Sequence, residues 1–438
     1  MRRKFVLKKA VALALASVMV VGLAACGNSS KSEPEESAAT EEAVESEAAE
    51  AEAAEVSEDA ITPYSDGPAA MEDIVADLLS DYDLPELSKE DQDYVINLGY
   101  YNCDHMAAAS VGEYTGIYEG LGLKVNVTGN GNVPEAMSAG QMDMAYCGWT
   151  TTLGAVQNDV PLFIAAENHI GGSEYLVVSN DIKDPEDLIG ARISMGTDPD
   201  TTNLNWAEYC DHLGLPRDIE KYENFSMSDS DEYLALVGGE LDAYNCCDPW
   251  GSMAVYTGEG WLMDRQNTDR GGDLGHGTCC KVAMNYDFAE AHPALAERIL
   301  LAHTICLQFM YEHPYMAAEI FSAYYNVPVE VAIMTYWRKF VDEGRTIRWD
   351  LNLDYMRNQL NTMAYYGIRD DINTVSVEDY VDLTYFNNSG AKDFEEFIKE
   401  NIDPVFPEGM DYESFKAKAL AIDGVAAEDV PEYVELDR

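Results

Sequence analysis

The chain has 438 residues, with 80 Asp and Glu against 27 Lys and Arg, a formal charge of −53 at pH 7. So acidic a surface repels phosphate backbones and anionic headgroups, which excludes binding of nucleic acid or acidic membranes by charge. Apolar residues make up 47% of the chain, ample for two domains with cores of their own.

Arg2, Arg3, Lys4, Lys8 and Lys9 give the chain a positive start, and the apolar run 10–22 that follows is too short for a comfortable membrane span. It ends in Leu23, Ala24, Ala25 and Cys26, which resembles the lipobox of bacterial lipoprotein precursors. The resemblance implies a signal peptide over residues 1–25, cleavage before Cys26 and acylation of Cys26. The protein would then sit outside the cytoplasm, on the outer face of the cytoplasmic membrane or the periplasmic side, held by lipid alone. Several acyl chains, at about 0.8 kcal/mol per buried methylene, anchor a protein stably. The plainer alternative is an ordinary secretory signal that ends near a cysteine.

Residues 26–66 are dominated by Glu, Ala and Ser, with Lys31 as the one base. Like charges at helical spacing and the lack of an apolar stripe predict a disordered, self-repelling tether. Residues 67–93 read as a helical extension, with Met71, Ile74, Val75, Leu78 and Leu79 at helical spacing. Strand-like runs follow at 94–101, 123–128, 142–147, 162–166, 175–179, 191–195 and 241–246, separated by helix-length amphipathic segments. That alternation predicts right-handed βαβ units and mostly parallel sheets. A return strand is expected over 280–286, then helices over 293–313, 315–325, 329–343 and 353–365. The order suits an α/β fold of two lobes, each a mostly parallel sheet flanked by helices, with ligand in the cleft at the carboxyl ends of the strands. Lobe one takes 94–173 and 287–390, lobe two 174–286, and 391–438 forms a C-terminal extension. The lobe crossings are expected near 167–180 and 276–288.

Four stretches carry a family likeness: residues 99–105 (GYYNCDH) with 118–125 (YEGLGLKV); residues 131–145, with Glu135, Ala136, Met137, Gly140 and Asp143; residues 184–196 (DPEDLIGARISMG); and residues 239–250, where Gly239 to Asp242 lead to Asp248, Pro249 and Trp250. A weaker echo lies at 377–383. In order and spacing, across residues 94–390, these resemble the nitrate/sulfonate/taurine and thiamine-precursor (pyrimidine) group of type II periplasmic binding proteins. The resemblance implies a hinged two-lobed clamp, monomeric and without catalysis, that captures a small molecule and delivers it to an ABC permease with its ATPase. A binding protein that serves a receptor instead is the alternative partner reading.

The loops after the strands are where such a ligand would be held. In lobe one these are Tyr101, Asp104 and His105 after the first strand, the glycine-containing turn 129–132 after the second, and Trp149 and Thr150 after the third. Thiamine-precursor binders have a histidine in the loop matching His105; the alternative is a loop or capping residue. Trp149 could stack on a planar ligand or pack under a helix. In lobe two they are Thr197, Thr201 and Thr202 in the turn 196–202, where Asp200 or Thr201 suits an N-cap, then Ser228 and Asp229, and finally Asp248 and Trp250. Asp248 could bind an amine or cap the helix after Pro249.

These loops hold Asp104, Asp198, Asp200, Asp229, Asp231 and Asp248 and no base. That favours a nitrogenous ligand, a pyrimidine-like amine or an amino-sulfonate, over nitrate or a plain alkanesulfonate. Arg265, Arg270, Arg345 and Arg348 are the bases that could still reach in.

Eight cysteines follow Cys26, including the adjacent pairs Cys246-Cys247 and Cys279-Cys280. Disulfides and unpaired buried thiols both remain open. A zinc site would draw on His276 with those pairs. However, adjacent strand residues point to opposite faces and neither C-x-x-C nor H-x-x-x-H spacing occurs, so no metal and no cofactor is expected. No catalytic motif is present either; a thiamine-pyrimidine-synthesis-like enzyme is the catalytic alternative.

Overall fold

A computed structural model describes residues 71–101, 103–129, 133–171, 174–195, 203–266, 277–369 and 375–436. Cys26, the signal and tether segments, Thr197, Thr201, Thr202, Arg270 and His276 lie outside those residues.

Among the described residues, ten strands form two five-stranded sheets. β1 (Ile96–Tyr100), β2 (Val125–Gly129), β3 (Met144–Gly148), β4 (Leu162–Glu167) and β10 (Cys280–Asn285) make the first, in the order β2-β1-β3-β10-β4. β5 (Glu174–Ser179), β6 (Arg192–Ser194), β7 (Glu223–Phe225), β8 (Ala243–Cys247) and β9 (Gly260–Arg265) make the second, in the order β7-β6-β8-β5-β9. Pairing is parallel from β1 to β2 and β3, and from β6 to β7 and β8. β10 runs antiparallel between β3 and β4, and β5 antiparallel between β8 and β9. Each lobe is thus a mostly parallel sheet with one reversed strand. Strands covered on both faces read as near-continuous apolar runs rather than alternating, and β4 is buried at every position, its one charged residue, Glu167, being paired with Lys281.

Two strands escape the periodicity reading. β7 has three residues, too few to show alternation, and β9 is only partly buried beyond Gly260. The strand Cys280–Asn285, assigned to lobe two on sequence order, sits inside the first sheet. The second sheet therefore finishes with β9 at Arg265, and the two connections between lobes run over 168–173 and 266–279.

Lobe one is completed by helices Pro293–Glu312, Pro314–Tyr325, Val329–Trp337 and Leu353–Tyr365, close to the expected spans. Pro293 and Pro314 stand in the first turn of their helices, where a missing N–H costs nothing. Helix Pro293–Glu312 is buried on all sides from Ile299 to Tyr311, the mark of a core helix rather than a surface one. Its break from the next helix is held from the far end of the chain: Asp423 accepts from His313 Nδ1 at 2.7 Å and from the Met316 amide at 3.0 Å. The C-terminal extension is therefore no appendage, since Phe394, Phe397, Ile402, Phe406 and Phe415 are buried in the first core. The front extension joins the same core through Ile74 and Val75. It is interrupted between helices Met71–Ser80 and Lys89–Asp93, where Pro85 disfavours continuation. Helix Val329–Trp337 runs directly into a π-helical turn, Arg338–Asp342, a feature concentrated at functional sites.

His303 ties this core to the first sheet. Tyr146 donates its hydroxyl to Nδ1 (3.1 Å), and Nε2–H donates to the Glu167 carbonyl (2.9 Å), so the neutral ring is satisfied at both nitrogens. Burial pushes its pKa down from 6.5 to about 4. As pH falls, the unfolded chain takes up this proton first. The stability that depends on His303 is full above pH 6.5 and is lost down to about pH 4, on the order of 3 kcal/mol in total. The difference in unfolding free energy between wild type and His303→Gln should therefore shrink between pH 7 and pH 4 in urea titrations. A difference independent of pH contradicts this assignment.

Candidate functional site

The carboxyl end of β1 leads into Cys103, a 3₁₀ turn over Asp104–Met106 and helix Ala108–Thr115. The carboxyl end of β8 leads into Cys247, Asp248 and helix Trp250–Thr257. These two ends meet: the Asp104 amide donates to the Asp248 carbonyl at 3.3 Å. Asn168, just after β4, donates Nδ2 to the His105 carbonyl at 2.7 Å and fixes the same turn.

Two bases from the π-helical turn enter this junction. Lys339 is fully buried; its Nζ donates to Tyr175 Oη and to Glu343 Oε2, both at 2.8 Å, and stands 3.5 Å from Asp104 Oδ2. Tyr175, on β5 of the second lobe, donates in turn to Glu343 Oε1 at 2.6 Å. Burial alone would strip the proton from Lys339, but Glu343, Asp104 and Asp248 outweigh it and hold the ammonium charged. Burial likewise opposes charge on Asp104 and Glu343, and Lys339 overcomes it in both, so both carboxyls sit below their ordinary range. Arg338 lies over the Tyr175 ring, donates from Nε to Ser252 Oγ at 3.2 Å and reaches Asp248 Oδ2 at 3.8 Å. Arg265 on β9 pairs with Asp342 at the rim. A further buried ion pair, Lys281 with Glu167, lies between β10 and β4.

The strand-end loops carry no Lys or Arg of their own, but Asp104 and Asp248 are not left without cations. The charge-balancing residues arrive from helices and strands rather than from the strand-end loops. Arg345 and Arg348 are engaged elsewhere, with Asp403 and with Asp350 and Glu395. The sequence held one kind of usable signal: Arg338 and Lys339 interrupt the largely apolar run 331–341, and Lys281 lies in a largely apolar strand. A charged residue among apolar neighbours on all sides is buried only when paired.

Beside this network lies a group of thiols and imidazoles. Asp104 Oδ1 accepts from His105 Nδ1 at 2.8 Å. His105 Nε2 stands 2.9 Å from Cys280 Sγ, 3.3 Å from Cys103 Sγ and 3.7 Å from Cys279 Sγ, and the His169 ring stacks on it at 4.5 Å. Burial disfavours charge on His105, but the three thiols and Asp104 outweigh it and raise its pKa well above the ordinary value. The hydrogen bond from Cys280, with His105 close by, pulls Cys279 well below the usual thiol range. Cys103 meets Cys247 across the cleft. Cys247 donates to Glu174 Oε1 at 3.2 Å, its amide donates to Asp229 Oδ2 at 3.1 Å, and Asn245 Nδ2 holds Glu174 Oε2 at 2.7 Å. Burial and the nearby Asp229 push Glu174 up to about 7. Among the described residues the cysteines are all free thiols.

Of the residues singled out in the sequence, Asp104, His105, Asp229 and Asp248 are brought to this junction. Tyr101 is half-buried between two apolar clusters of lobe one. Trp149 is packed into that lobe, edge-on to Tyr380 at 6.0 Å and among Leu153, Ile164 and Met356; the helix-packing alternative describes its surroundings. Thr150 is exposed. Ser228 is exposed too and donates to Asp231 Oδ2 at 2.7 Å. Trp250 packs half-buried against Tyr233. Cys103, Glu174, Arg338 and Lys339 join the site without having been named for it, and Cys247, Cys279 and Cys280, weighed in the sequence only as zinc ligands with His276, join it too.

The NMT1/THI5-like family matches over residues 103–317. This region is NMT1/THI5-like. It spans the segment from Cys103 through β10, including His105, Glu174 and Asp248, and stops short of Arg338 and Lys339. No curated protein matches the sequence. Solved structures similar to this chain include the ligand-binding component of an ABC-type import system from Staphylococcus aureus, with zinc bound (13% identity, TM-score 0.55, covering 68% of this chain and 100% of that one). The periplasmic nitrate-binding protein NrtA from Synechocystis PCC 6803 is similar over 78% of this chain and 100% of its own (13% identity, TM-score 0.51). The alkanesulfonate-binding protein SsuA from Xanthomonas axonopodis pv. citri, bound to MOPS, is similar over 66% and 97% (16% identity, TM-score 0.50). The NMT1/THI5-like region and the helices around it form the two-lobed type II periplasmic-binding-protein fold.

Asp248 itself acts as a helix cap: Oδ1 accepts from the Ser252 amide at 2.8 Å and Oδ2 from Ser252 Oγ at 3.0 Å. Asp248→Ala removes both bonds and the carboxylate facing Arg338. It should lower the unfolding free energy by about 1–3 kcal/mol in denaturant titration; a change under about 0.5 kcal/mol, typical of a surface site, contradicts the capping role.

Proposed function

We propose that this chain is the extracytoplasmic solute-binding component of an ABC importer, tethered through acylated Cys26, and that it captures a small nitrogen-containing organic molecule without catalysis. The observation that carries the reading is the junction itself. The carboxyl ends of β1 and β8, one from each sheet, meet where an open α/β fold binds ligands. The likeness to the ligand-binding component of an ABC-type import system from Staphylococcus aureus supports the transport role. Among the described residues no helix is long and apolar enough to cross a membrane, which agrees with attachment by lipid.

The ligand class follows from which charges are already balanced. Asp104 and Asp248 have their cations in Lys339 and Arg338. Among the described residues Glu174 and Asp229 are held by the Cys247 thiol and amide and by the Asn245 side-chain amide rather than by a Lys or Arg, so we take them as the acceptors for an amine or ring N–H. A pyrimidine-like amine or an amino-sulfonate fits them. The second reading, a simple oxyanion such as nitrate or an alkanesulfonate, is favoured by the presence of Arg338 and Lys339 at the same junction.

Ligand that binds only the folded state raises the melting temperature with its concentration. An aminopyrimidine or 2-aminoethanesulfonate should do so and nitrate should not, and Glu174→Gln should weaken the amine at least about tenfold, the scale of one charge-assisted hydrogen bond. Micromolar affinity for nitrate or a plain alkanesulfonate, with no response to any amine, contradicts the nitrogenous ligand and favours the second reading. Separately, Cys26→Ser should leave the protein unacylated, either uncleaved or released, as judged by intact mass and membrane fractionation. Unchanged acylation contradicts the anchor.

A further inference from the structure

We propose that His105, Cys279 and Cys280 form a binding site for a soft or borderline transition-metal ion of the Zn²⁺ or Cu⁺ class, placed beside the ligand cleft. The three ligand atoms all lie within 4.8 Å of one another. His105 Nε2 is 2.9 Å from Cys280 Sγ and 3.7 Å from Cys279 Sγ, and the two sulfurs are 3.5 Å apart. A tetrahedral ion with metal–sulfur bonds of about 2.3 Å and a metal–nitrogen bond of about 2.0 Å separates neighbouring ligands by roughly 3.5–3.8 Å. Two of the three spacings are already at that value, and the third needs Nε2 and Cys280 to part by less than an ångström. Adjacent cysteines would face opposite ways on a regular strand. Here Cys279 precedes β10, which begins at Cys280, and that break lets both sulfurs turn to one side.

An independent observation points the same way. The Asp104 carboxylate stands 2.8 Å from His105 Nδ1, which donates to it. Nε2 is thereby the nitrogen that faces the sulfurs, and it gives up the proton it carries to solvent when it ligates the ion. A carboxylate that holds the far nitrogen of a histidine is the usual outer support of a metal-bound imidazole, and Lys339 anchors that carboxylate in turn. Two sulfurs and one imidazole select a soft or borderline ion over Mg²⁺ or Ca²⁺. Cys103 Sγ, 3.3 Å from the same nitrogen, supplies a fourth donor by rotation or leaves that position to a molecule in the cleft. On binding, each thiol that ligates the ion gives its proton to solvent. Sequence spacing could not reveal the site, because His105 and Cys280 are 175 residues apart.

The proposal goes beyond the transport reading and is tested apart from it. The purified protein, reduced and stripped with chelator under anaerobic conditions, is titrated with Co²⁺ as a spectroscopic probe and then with Zn²⁺. The expected result is one equivalent of Co²⁺ with sulfur-to-cobalt charge-transfer absorption and tetrahedral d–d bands, displaced by Zn²⁺. Cys280→Ser and His105→Gln should each weaken binding by at least about 100-fold, at or beyond the upper end seen for outer-shell changes. Cys306→Ser, in the core of helix Pro293–Glu312, should leave it unchanged. A readout that needs no variant is alkylation: Zn²⁺ should protect Cys279 and Cys280 in the wild-type protein, as followed by peptide mass. Alkylation at equal rates with and without Zn²⁺ overturns the proposal. So does cobalt absorption that persists in the Cys279→Ser, Cys280→Ser double variant, or a reduced protein that takes up no Co²⁺.

Discussion

A buried ammonium cannot remain charged without anions around it, and Lys339 is placed where the rest of the cleft must supply them. It is fully buried and balanced by Glu343 one turn along its own helix, Asp104 at the end of β1, and the hydroxyl of Tyr175 from the other lobe. Removing one member of such a group leaves a desolvated charge, a loss of about 3–5 kcal/mol. The group therefore constrains the relative position of the turn after β1, the π-helical turn and β5 together. Asp104, held in this way, orients His105, and His105 in turn faces the sulfurs of Cys103, Cys279 and Cys280. Much of the chemistry in the cleft depends on this one lysine.

That dependence changes how the acidic composition bears on function. A net charge of −53 suggests a cleft lined with unneutralised carboxylates, but the cleft is nearly balanced at its centre. The carboxylates closest to the junction of the two sheets are paired, whereas Glu174 and Asp229 to one side are held by amides, a thiol and a side-chain amide. If the junction holds the ligand as proposed, selectivity depends on which side of it the ligand occupies. A donor beside Glu174 gains partners, and an anion would have to compete with Asp104 and Asp248 for Lys339 and Arg338.

Much of the fold was legible from local signals. Apolar runs of strand length, Pro293 and Pro314 at helix starts, and the full span 353–365 all follow from period and turn chemistry that neighbouring residues express. What escaped was non-local. That β10 returns to the first sheet depends on its pairing with β3 and β4, more than a hundred residues upstream, and nothing within 280–285 encodes that choice. Trp149 offered two equally sound readings, and only the packing of Met356 and Tyr380 against it distinguishes them. The site was legible in part: a strand-end rule found Asp104, His105, Asp229 and Asp248 because that rule is topological. It could not find Lys339, which approaches from a helix, nor the sulfur group, whose members come from the ends of β1, β8 and the start of β10.

The account rests on Lys339 and Asp104 acting as one unit, and a double-mutant cycle tests this directly. Unfolding free energies of wild type, Asp104→Asn, Lys339→Met and the combined variant give the coupling between the two side chains. Residues in one buried charge network couple by about 0.5–3 kcal/mol, and independent sites add to within about 0.5 kcal/mol. The account predicts a coupling of about 2 kcal/mol or more, with the double variant less destabilised than the sum of the singles. Additivity of the two substitutions would contradict it.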